Sequence, residues 1–289
     1  MRYAVVDIGS NTVKVNIFTS DMSEVFYRTR TLGLITYTNN NVMSDTGIAL
    51  LIDTIAEYKQ LITENAADEA VYIATASLRN LDNQSKILTA VYNATGVNIE
   101  VLSGHDEARY SFEGLRYRHE ISTGLMIDMG GGSTEIIGFR DGKLGDVISL
   151  PIGCLKLYNA YVSDILPTAD EITSINSYVD TVTSDIPWLA DYGDTVYLIG
   201  GTARALESFG KLTTYDDFPA LLLRIGTDRD LINEKTPSRL TTIIPGLTAY
   251  CRLLHRMNTR AVVVTQTSIR EGWVRGREDT RFSDSYMSL

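Results

Sequence analysis

Apolar positions along the chain follow two alternating periods, and the alternation predicts its layers. Tyr3-Ala4-Val5-Val6 is continuously apolar and ends in Asp7-Ile8. Gly9-Ser10-Asn11-Thr12 interrupts it, and Val13-Lys14-Val15-Asn16-Ile17-Phe18 resumes with apolar and polar residues in turn. A strand, a small-residue turn and a returning strand predict a β-hairpin. The design repeats at Leu125-Met126-Ile127-Asp128-Met129, Gly130-Gly131-Gly132-Ser133-Thr134 and Glu135-Ile136-Ile137-Gly138-Phe139, with Asp128 in the place of Asp7. The copies lie too far apart for a solenoid repeat and at the spacing of two similar domains.

Helical periodicity fills the intervals. Between the hairpins the pattern predicts helices over 46–65, 77–94 and 105–119, with strands over 70–75 and 98–102. After the second hairpin it predicts a strand over 145–150, a helix over 168–189, a strand over 195–199 and a helix opening at Thr202. A helix over 238–257, a strand over 261–265 and a helix over 268–277 complete it. Strands alternating with helices at this spacing give the α/β class. We place one domain over 1–121 and a second over 122–289, with a hinge near 120–124 and the last helix able to pack back on the first domain.

Composition narrows the function. The net charge of −10 over 289 residues argues against a general nucleic-acid binder, whose affinity comes from Lys and Arg on phosphates. A phosphate-rich ligand stays compatible, because backbone N–H groups, helix N-termini and a divalent cation hold phosphate locally. No apolar run is long enough for a bilayer, and the N-terminus does not read as a secretory signal, so a cytoplasmic protein without a membrane partner is expected. Cys154 and Cys251 are too far apart for a zinc site and read as buried small hydrophobes. His105, His119 and His255 show no paired metal spacing, and there is no Walker-type loop.

The candidate chemistry sits at the turns. Glycines in both hairpins let backbone N–H groups approach a phosphate closely, which makes Gly9, Ser10, Asn11 and Thr12, and Gly130, Gly131, Gly132 and Ser133, the candidate phosphate cradle. An Asp at each strand end beside a phosphate calls for a bridging divalent cation, Mg²⁺ by preference. Asp128 is its first candidate ligand, Asp7 the second, and Glu135 a further candidate for metal or water. Gly200-Gly201-Thr202 follows a strand and opens a helix, either as a plain N-cap or as a third anion-binding turn. Ser103-Gly104-His105-Asp106-Glu107 reads as a helix start with Ser103 and Asp106 in the cap. Glu107 is not needed there and is a candidate base toward an attacking water. Arg79, just past a buried strand, is a candidate phosphate clamp or a solvated surface residue.

Seven segments, in order, resemble the motifs of the exopolyphosphatase/guanosine pentaphosphate phosphohydrolase family. They are Asp7-Ile8-Gly9-Ser10-Asn11-Thr12, Ala74-Thr75-Ala76-Ser77-Leu78-Arg79, Ser103-Gly104-His105-Asp106-Glu107-Ala108-Arg109, Asp128 through Glu135, Ser149-Leu150-Pro151-Ile152-Gly153, Gly200-Gly201-Thr202 and Ile269-Arg270-Glu271-Gly272. The resemblance implies two actin-like (ribonuclease H-like) domains with a phosphate-binding cleft between them, and Mg²⁺-dependent hydrolysis of phosphoanhydride bonds. It implies that Glu107 is the catalytic glutamate and Arg79 a phosphate-contacting arginine, with Ser133 and Glu135 in the cleft. The substrates it implies are inorganic polyphosphate or guanosine pentaphosphate, and a homodimer is an assembly it allows. The chain departs from the family at Asp106, where a Glu is usual, and at Thr241, where an Asp is usual. It also lacks the C-terminal helical domains of longer members, which favours shorter polyphosphates or a nucleotide. Two other readings remain: an ATP-using kinase or chaperone-like ATPase of the same superfold, and a non-catalytic sensor of phosphate-rich ligands.

Overall fold

The continuously apolar runs before Asp7 and Asp128 form the central strands of two five-stranded sheets. The computed structural model describes residues 1–278. The described chain falls into two units, one of residues 1–117 together with the segment from Ser268 onward, the other of residues 118–267.

In the first unit, β1 (Arg2–Ile8), β2 (Thr12–Thr19) and β3 (Glu24–Thr31) form an antiparallel meander. A small pair, β4 (Thr38–Asn39) and β5 (Val42–Met43), precedes α1 (Asp45–Glu64), which opens with the Ser44 side chain accepting from Gly47 N–H. Then come β6 (Glu69–Ala74), α2 (Ala76–Arg79), α3 (Gln84–Thr95), β7 (Glu100–Val101) and α4 (Gly104–Arg118). The sheet order is β3-β2-β1-β6-β7, with β6 parallel to β1 and β7 parallel to β6.

The second unit repeats this plan. It comprises β8 (Gly124–Met129), β9 (Thr134–Arg140), β10 (Lys143–Leu150), α5 (Cys154–Tyr161), α6 (Ala169–Thr183), β11 (Thr195–Ile199) and α7 (Gly201–Leu206). It ends with α8 (Asp217–Ile225), α9 (Arg229–Lys235), α10 (Ile243–Arg256) and β12 (Ala261–Val264). Its sheet order, β10-β9-β8-β11-β12, matches the first position by position and in strand sense. The last described helix, α11 (Ile269–Glu278), belongs to the first unit.

Continuous apolar runs are explained by cover on both faces of a strand. Ala4, Val6 and Ile8 of β1 pack with α1 and α3 through Leu51, Ile55, Tyr58, Ile87 and Val91. Tyr3 and Val5 on the other face pack with Ile269, Trp273 and Val274 of α11. In the second unit Leu125, Ile127 and Met129 of β8 join one core with residues of α6 and α10.

Several expectations are corrected. The helix expected over 77–94 is two helices, because Asn83 leaves the helical path to exchange hydrogen bonds with the Met43 backbone, at 3.0 and 2.8 Å. The helix expected to reach 189 stops at Thr183, before Pro187, whose ring disfavours helical backbone in the residue preceding it. The late helix begins at Ile243 rather than 238, after a 3₁₀ turn at Pro237–Arg239. β3, α5, α8 and α9 were not anticipated. The division between the units falls at Tyr117/Arg118 rather than after 121. Cys154 is buried as expected, whereas Cys251 is half-buried and its thiol is pushed up to about 12 by burial.

Candidate functional site

In the first unit the ends of β1, β6 and β7 lie side by side. Ile8 pairs with Ala74, and Leu102 N–H donates to Ala74 O at 2.9 Å. The residues that follow these carboxyl ends are the ones the sequence singles out, and this edge is where open α/β sheets bind ligands. Ser77 Oγ donates to Ile8 O, fixing the Ala74–Arg79 segment to the end of β1.

The first hairpin turn is tied down by its carbonyls. Leu32 and Gly33 N–H both donate to Asn11 O at 2.9 Å, Ile35 N–H donates to Ser10 O at 3.1 Å, and Gly9 N–H donates to Thr12 O at 3.0 Å. A trans peptide sets its N–H opposite its carbonyl, so the Asn11 N–H points away from the Ile35 segment. The second turn is supported in the same manner by α5. Cys154 N–H donates to Gly130 O at 3.1 Å, and Leu155 and Lys156 N–H donate to Gly131 O at 3.1 and 2.9 Å. The N–H groups of Gly131 and Gly132 therefore point away from α5. Gly153 is required here, since a Cβ on it would lie 2.4 Å from backbone atoms of Gly131 and Gly132. Ser133 is buried beside Thr134, whose Oγ1 donates to Ile152 O.

Arg79 and Glu107 meet. Arg79 Nη2 lies 3.0 Å from Glu107 Oε2, with the two side chains 16% and 12% exposed. The structure keeps Glu107 out of the helix cap, as the sequence expects. Asp106 N–H donates to Ser103 Oγ at 3.0 Å and Ser103 Oγ–H donates to Asp106 Oδ2 at 2.6 Å, while Glu107 turns to Arg79. Asp7 Oδ2 lies 3.2 Å from Arg270 Nη1 of α11. Arg270 lies in the last of the family-like segments, and a partner 263 residues away leaves no local signal of its role.

In the second unit Asp128 stands directly opposite Glu135 in the β8–β9 register. Glu135 is 1% exposed, and Ser149 Oγ–H donates to its Oε1 at 2.7 Å. Two hard oxygen donors at one strand end suit Mg²⁺, which takes one or two carboxylates and completes its shell with water and phosphate oxygens. Among the described residues no three Asp, Glu, His or Cys side chains converge. Gly200, at φ 103°, places its backbone where a Cβ would fall 2.6 Å from Met129 O and 3.4 Å from Asp128 Oδ1. Gly201 lies against a second arginine. Arg239 Nη2 lies 2.0 Å from where a Cβ would stand, and its Nη1 donates to Thr202 Oγ1 at 3.3 Å. Burial, with the Asp128 charge nearby, pushes the Tyr250 phenol far above its usual range, and its hydroxyl donates to Ile199 O at 3.3 Å.

Comparison with known proteins places these features in a family. The Ppx/GppA phosphatase family model matches residues 13–281. Exopolyphosphatase 1 of Mycobacterium tuberculosis is 27% identical over 220 residues, covering 74% of this chain and 64% of the relative. The guanosine-5'-triphosphate,3'-diphosphate pyrophosphatase of Photobacterium profundum is 24% identical over 293 residues, covering 94% of this chain and 58% of the relative. The chain thus spans less than two thirds of the length of either. Among solved structures, the Aquifex aeolicus Ppx/GppA family member superposes with a TM-score of 0.79 at 24% identity, over 96% of this chain and 97% of that one. The exopolyphosphatase of Cytophaga hutchinsonii superposes with a TM-score of 0.85 at 20% identity, over 96% and 98%. These likenesses show the same two-unit, actin-like α/β fold.

Proposed function

Because the chain belongs to the Ppx/GppA phosphatase family, we propose that it hydrolyses the terminal phosphoanhydride bond of inorganic polyphosphate. The observation that carries this reading is the Arg79–Glu107 pair at the carboxyl ends of β6 and β7, in the same unit as the glycine turn of Gly9–Thr12.

The N–H groups turned outward at each hairpin are donors suited to phosphate oxygens. Arg79 orients the Glu107 carboxylate and offers a guanidinium to the charge that develops on the phosphoryl group. Glu107 takes a proton from water as the water oxygen bonds to the terminal phosphorus. The bridging P–O bond breaks, and its electron pair leaves with the shortened chain. Asp128 and Glu135 would hold Mg²⁺, which supplies charge neutralisation to the phosphate oxygens when bound.

A second reading, hydrolysis of the 5′-terminal phosphate of guanosine pentaphosphate, draws on the relative from Photobacterium profundum, whose match covers 94% of this chain. The phosphoanhydride chemistry is the same, so substrates must be compared directly. Orthophosphate release from short and long polyphosphate, guanosine pentaphosphate and ATP, with Mg²⁺, ranks them. Glu107→Gln should lower turnover by about 10²- to 10⁴-fold with little change in substrate affinity. Substrate binding by the wild-type chain without release of orthophosphate from any of the four would replace the hydrolase with a sensor.

A further inference from the structure

The two hairpins share fold and register but not charge. In the first, Asp7 stands directly opposite Lys14, and Arg270 reaches Asp7 from α11 at 3.2 Å. In the second, the same two positions are Asp128 and Glu135. Directly opposed residues of an antiparallel pair place their Cβ atoms about 4.5–5.5 Å apart on one face of the sheet. Across the hairpin, one strand-end Asp therefore faces an ammonium and the other a carboxylate. Paired carboxylates attract a divalent ion. A carboxylate already matched by a guanidinium and facing an ammonium does not, since the ion would have to displace a bonded cation and sit beside a second one.

We propose that Asp7 is not a metal ligand but the anchor of Arg270, and that Arg270 is a positioning residue for the first phosphate turn. It cancels the Asp7 charge two residues before Gly9 and binds α11 to the end of β1. With Arg79 on Glu107 and Arg270 on Asp7, both carboxylates at this edge of the first unit are matched by guanidinium groups before any phosphate arrives. A polyanion meets no net negative charge from them.

Two further observations support this assignment. Arg270 is only 7% exposed, and among the described residues its buried Nε has no hydrogen-bond partner, so the guanidinium is held at a cost that its bond to Asp7 must offset. The helix that carries it is also fixed to the helix that carries Glu107. A Cβ on Gly272 would lie 1.7 Å from Tyr110 O, and one on Gly114 would lie 2.7 Å from Ser268 O. Arg270 thus joins the turn that binds phosphate to the helix that supplies the base.

This inference rests on the proposal that the chain binds polyphosphate. Its test uses the full chain and two probes: inorganic tripolyphosphate in EDTA, so that binding is read without turnover, and Mn²⁺ alone. Arg270→Gln, which leaves Asp7 uncompensated, should weaken tripolyphosphate binding about 10- to 100-fold, and Arg270→Lys should recover most of it by restoring the charge. Asp7→Asn combined with Arg270→Gln should return within about fivefold of wild type, because neither charge remains. Asp7→Asn alone should leave Mn²⁺ affinity unchanged, whereas Asp128→Asn should lower it at least about tenfold. If Arg270→Gln does not fold, Asp7→Asn still decides, since it keeps the cation and should bind tripolyphosphate at least as tightly as wild type. Loss of Mn²⁺ affinity in Asp7→Asn, or wild-type tripolyphosphate affinity in folded Arg270→Gln, would overturn this inference alone. A wild-type chain that binds no tripolyphosphate would overturn the polyphosphate reading with it.

Discussion

Gly272→Ala sets helix propensity against packing, and the structure decides which wins. In an exposed helix interior the change gains about 1 kcal/mol. Here the new Cβ would stand 1.7 Å from the Tyr110 carbonyl oxygen and 2.9 Å from Gly114 N, where real Cβ contacts do not fall below 3.0 Å. Both obstacles are backbone, so no rotamer change relieves them, and α11 must move off α4. That movement opens the contacts of Ile269, Trp273 and Val274 with Tyr3, Val5 and Phe18. Forced separation of a packed pair costs about 3 kcal/mol, at the upper end of ordinary overpacking. The net loss is about 2 kcal/mol, and a thermal midpoint lower by roughly 3–4 °C follows for a chain of 289 residues. Scanning calorimetry of the wild-type and variant chains measures it. A variant melting at or above wild type would mean that propensity acts alone, and would refute the close seating of α11 on α4.

Two other expectations follow from single contacts. Gly153→Ala drives a Cβ to within 2.4 Å of the Gly131 and Gly132 backbone, so it should distort the second glycine turn and, under the proposed function, raise KM for polyphosphate roughly tenfold while Mn²⁺ affinity changes little. Arg252 donates to both oxygens of Asp180, at 2.6 and 2.7 Å, and this bidentate bond holds the Asp180 carboxyl below its usual value. A depressed folded-state pKa contributes stability that is complete above the unfolded value, near about 3.9, and is lost as pH falls through the folded one. Both side chains are about one third exposed, so Asp180→Asn should cost about 0.5–1 kcal/mol at neutral pH, with the gap to wild type in urea denaturation closing below about pH 3.

What the sequence makes legible is what a few neighbouring residues determine. The hairpins can be read because alternation and small-residue turns are local, and their duplication can be read because both copies keep Asp at the strand end. The capping role of Asp106 is legible for the same reason, since a cap involves residues three apart. β3 escapes because its residues are mostly exposed and show no apolar face, although it pairs along the length of β2. The break between α2 and α3 escapes because its cause is Met43, 40 residues away in sequence.

The same distinction explains the site. Asp7 and Asp128 look equivalent in sequence, and a reading by analogy gives both a metal. Their strand partners already differ, Lys14 against Glu135, and that difference lies in the sequence at a fixed offset within the hairpin. Hairpin register turns the offset into a charge environment, so this part of the asymmetry could have been read without coordinates. Arg270 could not, because nothing short of the folded first unit brings α11 to β1. Arg239 is a third case, since its seat on Gly201 explains why a glycine follows Gly200 at a position where φ alone does not demand one. Duplication therefore predicts the scaffold of each half, and the residues that break its symmetry give the two strand-end Asp residues different neighbours.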